Sequence, residues 1–227
     1  MMTEAEWEAN TDPYHVLGAV RRTLPRDGAC SIRTPERKLR LFAVALGRCL
    51  QSLFKHQWHQ MALDVTEEVA DDPEMEGEVR GALYQLHEET KHPCHPDNPH
   101  LDQAIWSAAI PHEFWEATDG LMRSCDHALH TAWGDRVPPV PTQAALVRDI
   151  FGNPFRPVEF SPEWRTPTAT AIALQMYESR DFSAMPILAD AMQDAGCDNA
   201  DILNHCRYSE GVHVRGCWVV DHVLGKE

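Results

Sequence analysis

Residues 34–65 read TPERKLRLFAVALGRCLQSLFKHQWHQMALDV, and this stretch decides the fold class. Thr34 can cap the free amides of a helix, Pro35 suits its first position, and Glu36 favours the positive end of the dipole. Behind that start, Leu39, Phe42, Leu46, Leu50, Leu53 and Phe54 recur at three- and four-residue steps, continued by Trp58, Met61 and Val65. The spacing predicts an amphipathic helix with one broad apolar stripe, with room for a single break near its middle.

The same period recurs on both sides. Towards the N-terminus, Pro13, Gly18, Pro25 and Gly28 leave room for one short helix over about Val16–Thr23. Towards the C-terminus, Asp71-Asp72-Pro73 ends the long helix and begins another that carries Val79, Leu83 and Leu86 on one face. The run His92-Pro-Cys-His-Pro-Asp-Asn-Pro-His100 is too rich in proline for regular structure. Helices are then expected over about 101–109, 112–133 and 143–151, the last stopped by Gly152-Asn153-Pro154.

Seven of the sixteen prolines (138, 139, 141, 154, 157, 162 and 167) fall close together, and residues 155–160 read as extended, an isolated strand at most. Further helices are expected over about 167–179 and 182–195, then in a short segment to His205 capped by Asp198, and finally over about 214–224. The sum is an all-α protein, an irregular multi-helix bundle. Composition divides it into an N-terminal helical lobe (1–137), a Pro-rich connector (138–165) and a C-terminal helical lobe (166–227).

Charge and composition narrow the function classes. The chain has 227 residues, with 20 Lys and Arg against 35 Asp and Glu, a net charge of −15. Nucleic acids and anionic membranes are bound by clustered Lys and Arg, so neither is an expected partner. No run of 18 apolar residues suggests a membrane span. The acidic opening MMTEAEWEAN lacks the basic-then-apolar layout of a signal peptide. The cysteines number seven, an odd count spread over the chain, which fits reduced and largely buried thiols in a cytoplasmic protein. The basic clusters, Arg21-Arg22 and Arg37, Lys38 and Arg40, read as internal ion pairing or as a site for an acidic partner. Most tryptophans fall on apolar stripes, while Trp7 and Trp164 read as docking contacts.

The chemistry-bearing residues are cysteine and histidine. Near the C-terminus, Cys197, His205-Cys206, His213 and Cys217 are interleaved, and His213 and Cys217 have the spacing of two ligands on one helical face. Zinc takes four such ligands tetrahedrally, which makes Cys197, Cys206, His213 and Cys217 a candidate structural zinc site. The alternative is buried thiols with capping histidines.

Other clusters are weaker. His87-Glu88-Glu89-Thr90-Lys91-His92 places its second histidine one residue too late for a zincin motif. Glu89 with His92 and Glu210 with His213 match the carboxylate–histidine spacing of di-iron bundles, but neither pair falls within a helix. His92, Cys94, His95, Asp97 and His100 form a loop cluster that could serve a metal-dependent hydrolase. His56 with His59 and His127 with His130 are spaced as neighbours on partly wet helix faces. No nucleophile elbow, phosphate loop or dinucleotide fingerprint is present.

Four segments carry a family resemblance: Met2–Trp7 with Thr11-Asp-Pro13, Arg37-Lys-Leu-Arg-Leu-Phe-Ala43, Leu146-Val-Arg-Asp-Ile-Phe-Gly-Asn-Pro-Phe-Arg-Pro157, and Asp194–Arg207 leading to His213–Asp221. They resemble an uncharacterised bacterial family found as many paralogues in planctomycete-type genomes. Members often carry adjacent cysteines after the Leu-Phe-Ala run, where this chain has Leu46-Gly47. The resemblance therefore implies no thiol from the N-terminal helix for the C-terminal cluster, and it carries over no catalytic residue.

The leading expectation is a non-catalytic cytoplasmic protein of the interaction or scaffold kind, with a protein as its partner. The competing class is metal-dependent: a structural zinc in the C-terminal lobe, or a hydrolase using the His-rich middle. A small-molecule pocket near Trp164 and the Asn153-Pro154 turn is a third possibility.

Overall fold

The computed structural model describes residues 2–23, 33–77, 81, 99–109, 114–134, 142–208 and 211–226. Among them the regular structure is entirely helical, with no strand, so the chain is all-α as its apolar period predicts. The helices are α1 (Glu4–Ala9), α2 (Pro13–Thr23), α3 (Arg33–Arg48), α4 (Gln57–Asp71), α5 (Pro99–Ala109), α6 (Phe114–Trp133), α7 (Gln143–Phe151), α8 (Pro167–Ser179), α9 (Met185–Asp194), α10 (Ala200–Arg207) and α11 (Trp218–Leu224). No described helix is long and apolar enough to cross a membrane.

Two compact units make up the fold: Pro25–Gln143, and Met1–Leu24 together with Ala144–Glu227. These differ from the lobes expected from composition. The first two helices belong with the C-terminal ones, and most of the supposed connector is part of the same unit. The boundary at Gln143 and Ala144 falls inside the Pro-rich stretch, and the residues after it, to 165, belong with the C-terminal helices. Leu146, Val147 and Ile150 are buried, and the extended residues Val158 and Phe160 pack on the apolar cluster formed by α8 to α11.

In the central unit, Pro25–Gln143, the long apolar stripe is broken as its length allows. A 3-10 turn at Gln51–Leu53 separates α3 from α4, and α4 folds back closely enough that a Cβ on Gly47 would lie 2.7 Å from Leu63 Cδ2. Arg48 then reaches Asp64 and Glu67, each at 2.9 Å. Phe42, Leu46, Leu63, Leu101, Ile105 and Met122 fill the core between α3, α4, α5 and α6. Arg37 pairs with Asp71 at 3.0 Å and Arg40 with Glu76 at 2.9 Å, so the basic cluster on α3 is used for internal ion pairing. Of the helix expected after Pro73, the 3-10 turn Pro73–Met75 and the helical residues 76, 77 and 81 are described, while Val79, Leu83 and Leu86 lie outside the described residues.

The discontinuous unit corrects the reading of Trp7. Thr3 and Glu6 form a capping box that starts α1, and Trp7 is buried at 3% exposure with its indole N–H donating to Val16 O at 3.3 Å. It is a core residue because α1 and α2 fold together as a hairpin. Two helix starts also differ from expectation. Asn199, not Asp198, caps α10, accepting from the N–H groups of Asp201 and Ile202 at 3.0 and 3.2 Å. The last helix begins at Trp218 rather than Val214, because residues 214–217 make a turn whose Gly216 has φ +97°. That left-handed conformation is readily available only to glycine. The turn sets Cys217 at the mouth of α11, where the site forms.

Candidate metal centre

Asp149 lies on the buried face of α7, one helical step from Leu146 and beside Ile150, in a position where an apolar residue is the rule. His205 is on α10, with Ile202 and Cys206 of the same helix buried beneath it. His213 belongs to the segment entering the Gly216 turn, and Cys217 caps α11. Three separate parts of the unit therefore bring one carboxylate, two imidazoles and one thiol together. One ligand atom from each of Asp149, His205, His213 and Cys217 lies within 4.8 Å of all the others.

The individual distances are tighter. His213 Nδ1 is 2.9 Å from Asp149 Oδ1, and His205 Nε2 is 3.2 Å from the same oxygen. Cys217 Sγ is 3.2 Å from His205 Nε2 and 3.9 Å from His213 Nδ1. A tetrahedral zinc bonded at ~2.0–2.3 Å holds its ligand atoms about 3.3–3.8 Å apart. These four separations lie within a few tenths of an ångström of that range and every pair lies within 4.8 Å, so the cluster could hold such an ion if its donors draw in around it.

The direction of the rings separates a metal site from a catalytic triad. In a relay, the imidazole turns one nitrogen to the carboxylate and the other to the nucleophile. Here Asp149 and Cys217 face the same nitrogen of His205, and both again face a single nitrogen of His213. Cys217 is moreover fully buried, at 0% exposure. Burial, with the negative charge of Asp149 behind it, pushes its thiol well above the ordinary value, the reverse of what an activated nucleophile needs. The arrangement is convergent and suits coordination of a cation.

Surroundings fix the donors in place. The second oxygen of Asp149 accepts the Val214 N–H at 2.9 Å. Burial is the largest influence on Asp149 and opposes its charge, yet hydrogen bonds from His205 and His213, with their attraction, together hold its carboxyl below the ordinary value. The Trp218 ring lies 5.1 Å from that of His205. It also closes on Gly152, whose φ is +70° and where a Cβ would lie 3.3 Å from the indole. Nε2 of His213 is buried without a hydrogen-bond partner among the described residues, and a Cβ on Gly211 would come within 3.1 Å of it.

Of the four ligands expected from sequence, His213 and Cys217 are in this group, and Cys197 and Cys206 are not. Both of the latter are buried in the apolar cluster of α8 to α11. Cys197 follows Gly196 at the end of α9, its N–H donating to Met192 O at 2.9 Å. Burial, with Asp149 and Cys197 nearby, raises the Cys206 thiol to about 12. All five described cysteines are free thiols.

Sequence spacing missed Asp149, which is far from the other three along the chain. The available signal was a charged residue on the apolar stripe of α7.

The other histidine clusters do not assemble a comparable group among the described residues. His59 is fully buried against Asp102, with Nε2 to Oδ1 2.8 Å, and its ring lies 5.7 Å from that of His56. His127 faces the His100 ring at 5.0 Å. The zincin-like segment, Cys30, Glu210 and the loop residues His92, Cys94, His95 and Asp97 lie outside the described residues. Comparison of the chain with protein-family models, curated proteins and solved structures finds no match.

Proposed function

We propose that this chain is a non-catalytic helical protein whose discontinuous unit is built around a structural zinc, bound by Asp149, His205, His213 and Cys217. The observation that carries the reading is the convergence of all four donors, with each imidazole presenting one nitrogen to both the carboxylate and the thiol. Four protein donors complete a tetrahedral zinc and leave no coordination position for a substrate or activated water, as in closed structural sites. A mixed carboxylate, imidazole and thiolate set suits zinc better than the all-oxygen sets favoured by calcium and magnesium. Zinc would join α7 to α10 and to the turn before α11. Its role is then to hold a surface in shape for a protein partner. A reducing cytoplasm, which keeps the Cys217 thiol available, suits both the ligand and the free cysteines.

Metal analysis of the full chain, purified without a polyhistidine tag, tests this directly. About one equivalent of zinc per chain is expected, and less than about a tenth of an equivalent would overturn the reading, because structural sites hold their metal tightly. Cobalt substitution should add sulfur-to-metal charge-transfer absorption that disappears in Cys217→Ser. Cys197→Ala and Cys206→Ala, if folded by circular dichroism, should keep the metal. Loss of zinc in either would show that the ligand set is wrong.

A further inference from the structure

The residue next to Asp149 on α7 is Arg148, which does not face the metal centre's donors. Its guanidinium donates to Trp7 O and Asn10 O at the end of α1 and lies 5.0 Å from the Trp7 ring centre. A second tie runs through Arg156, which donates to Glu4 and Glu8 of α1 and, at 3.1 Å, to Asp201 of α10. Asp201 and His205 are four residues apart on α10 and so share a face. The first helices of the chain are thus held by the same two helices, α7 and α10, that the four donors join. The two grips are on adjacent residues of one helix and on one face of the other.

We infer that zinc occupancy and docking of the N-terminal hairpin, α1 with α2, are coupled: bound zinc holds the hairpin down, and loss of zinc releases it. The inference rests on the zinc reading above. Zinc binds only where α7 and α10 stand in register at the site. The Arg148 and Arg156 ties to α1 require that same register. A ligand stabilises whichever arrangement it binds, and the coupling is reciprocal, so a docked hairpin must tighten zinc as much as zinc tightens the hairpin. Release would expose the apolar face formed by Trp7, Val16, Leu17 and Val20, each at most 3% exposed when docked. Zinc would then regulate access to an apolar helical segment.

The test has two legs on the full chain. In the first, amide hydrogen exchange over residues 4–23 is compared with one equivalent of zinc and with a chelator. Exchange several-fold slower with zinc is expected. In the second, zinc affinity is measured by competition with a chromophoric chelator. Arg156→Gln should weaken zinc several-fold, at the low end of allosteric couplings because the pair is exposed. Trp7→Ala should weaken it further, with exchange in α8 and α9 reporting that the unit remains folded. If Trp7→Ala does not fold, Arg156→Gln decides this leg. Arg207→Gln is the control: it removes an exposed pair from α10 to Asp190 and has no tie to α1, so affinity should not change.

Because linkage is reciprocal, failure of either leg overturns the coupling. If one equivalent of zinc binds but exchange over 4–23 and the affinity of Arg156→Gln are both unchanged, the coupling falls and the zinc site stands. If no zinc binds to the unaltered chain, both fall.

Discussion

The two units each bury a carboxylate and stabilise its charge by different means. In the central unit, Glu67 is 3% exposed at its side chain and meets the Arg48 guanidinium at 2.9 Å, with Asp64 sharing the same cation. An arginine is charged at every accessible pH, so this pair is complete in the protein alone. In the discontinuous unit, Asp149 is fully buried and meets two imidazoles and one backbone N–H. An imidazole carries a positive charge only when protonated, and a thiol adds none. The difference teaches that a permanent ion pair is complete by itself, whereas a carboxylate gathered with two imidazoles and a thiol is held by titratable groups and, under the proposed reading, could be completed by an external cation.

The sharpest break of that comparison is to remove the acid in one unit and the cation in the other. Asp149→Ala, studied with a chelator present, leaves His205, His213 and the Val214 N–H, all partly buried, without their common buried acceptor. A cost of about 3–5 kcal/mol is expected, the range for breaking a buried charged network. Arg48→Ala should cost less, about 1–3 kcal/mol, because the Arg48 side chain is itself 20% exposed, so that truncating it lets water reach Glu67, and Asp64 is 40% exposed already. Denaturant unfolding, with hydrogen exchange to assign the loss to one unit, measures both. Equal costs would remove the distinction between a complete ion pair and a carboxylate held by titratable groups.

Metal addition should next separate the units. At free zinc 100-fold above Kd, stabilisation of about 2.7 kcal/mol is expected. It should appear as slower exchange in α7, α10 and α11, with exchange in α3 and α4 unchanged. Zinc binding should also release protons. Burial raises the Cys217 thiol well above its ordinary value, so at neutral pH it is protonated before the ion arrives and must ionise to bind. Calorimetry in two buffers of different ionisation enthalpy should therefore give about one proton released per zinc at least, falling by about one in Cys217→Ala. Binding without proton release would take the thiol out of the ligand set.

How far these features were legible in the sequence follows from their range along the chain. Helices with a strong apolar period and a local stop, such as α7 ending at Gly152 and α8 beginning at Pro167, could be read directly. The starts of α10 and α11 were displaced, because Asn199 competes with Asp198 as a cap and Gly216 holds residues 214–217 in a turn. The candidate centre was half legible. His213 and Cys217 are near neighbours, and His205 is not far from them. Asp149 and His213 are 64 residues apart and Trp7 and Arg148 are 141 apart, and no local pattern encodes such pairs. Cys197 and Cys206 looked like ligands because cysteine serves equally as a ligand and as a small apolar core residue.

Two glycines give the smallest and most local contrast between the units. Gly47 is helical, and its obstacle is purely steric: the added methyl of Gly47→Ala would press on Leu63 Cδ2 at 2.7 Å. Overpacking of that kind costs about 1–3 kcal/mol, offset by ~1 kcal/mol of helix propensity. Gly152 has φ +70°, so Gly152→Ala meets a backbone cost of about 1–2 kcal/mol whatever the space. It also pushes a methyl to 3.3 Å from Trp218, the ring that lies against His205. Gly152→Ala should lose about 1–2 kcal/mol and Gly47→Ala about 0–2 kcal/mol on thermal or denaturant unfolding. Their effects on zinc should differ: Gly152→Ala weakens affinity by moving the wall of the site, and Gly47→Ala leaves it unchanged. A fall in affinity in Gly47→Ala would mean that strain in the central unit reaches the centre, and that the two units do not act independently.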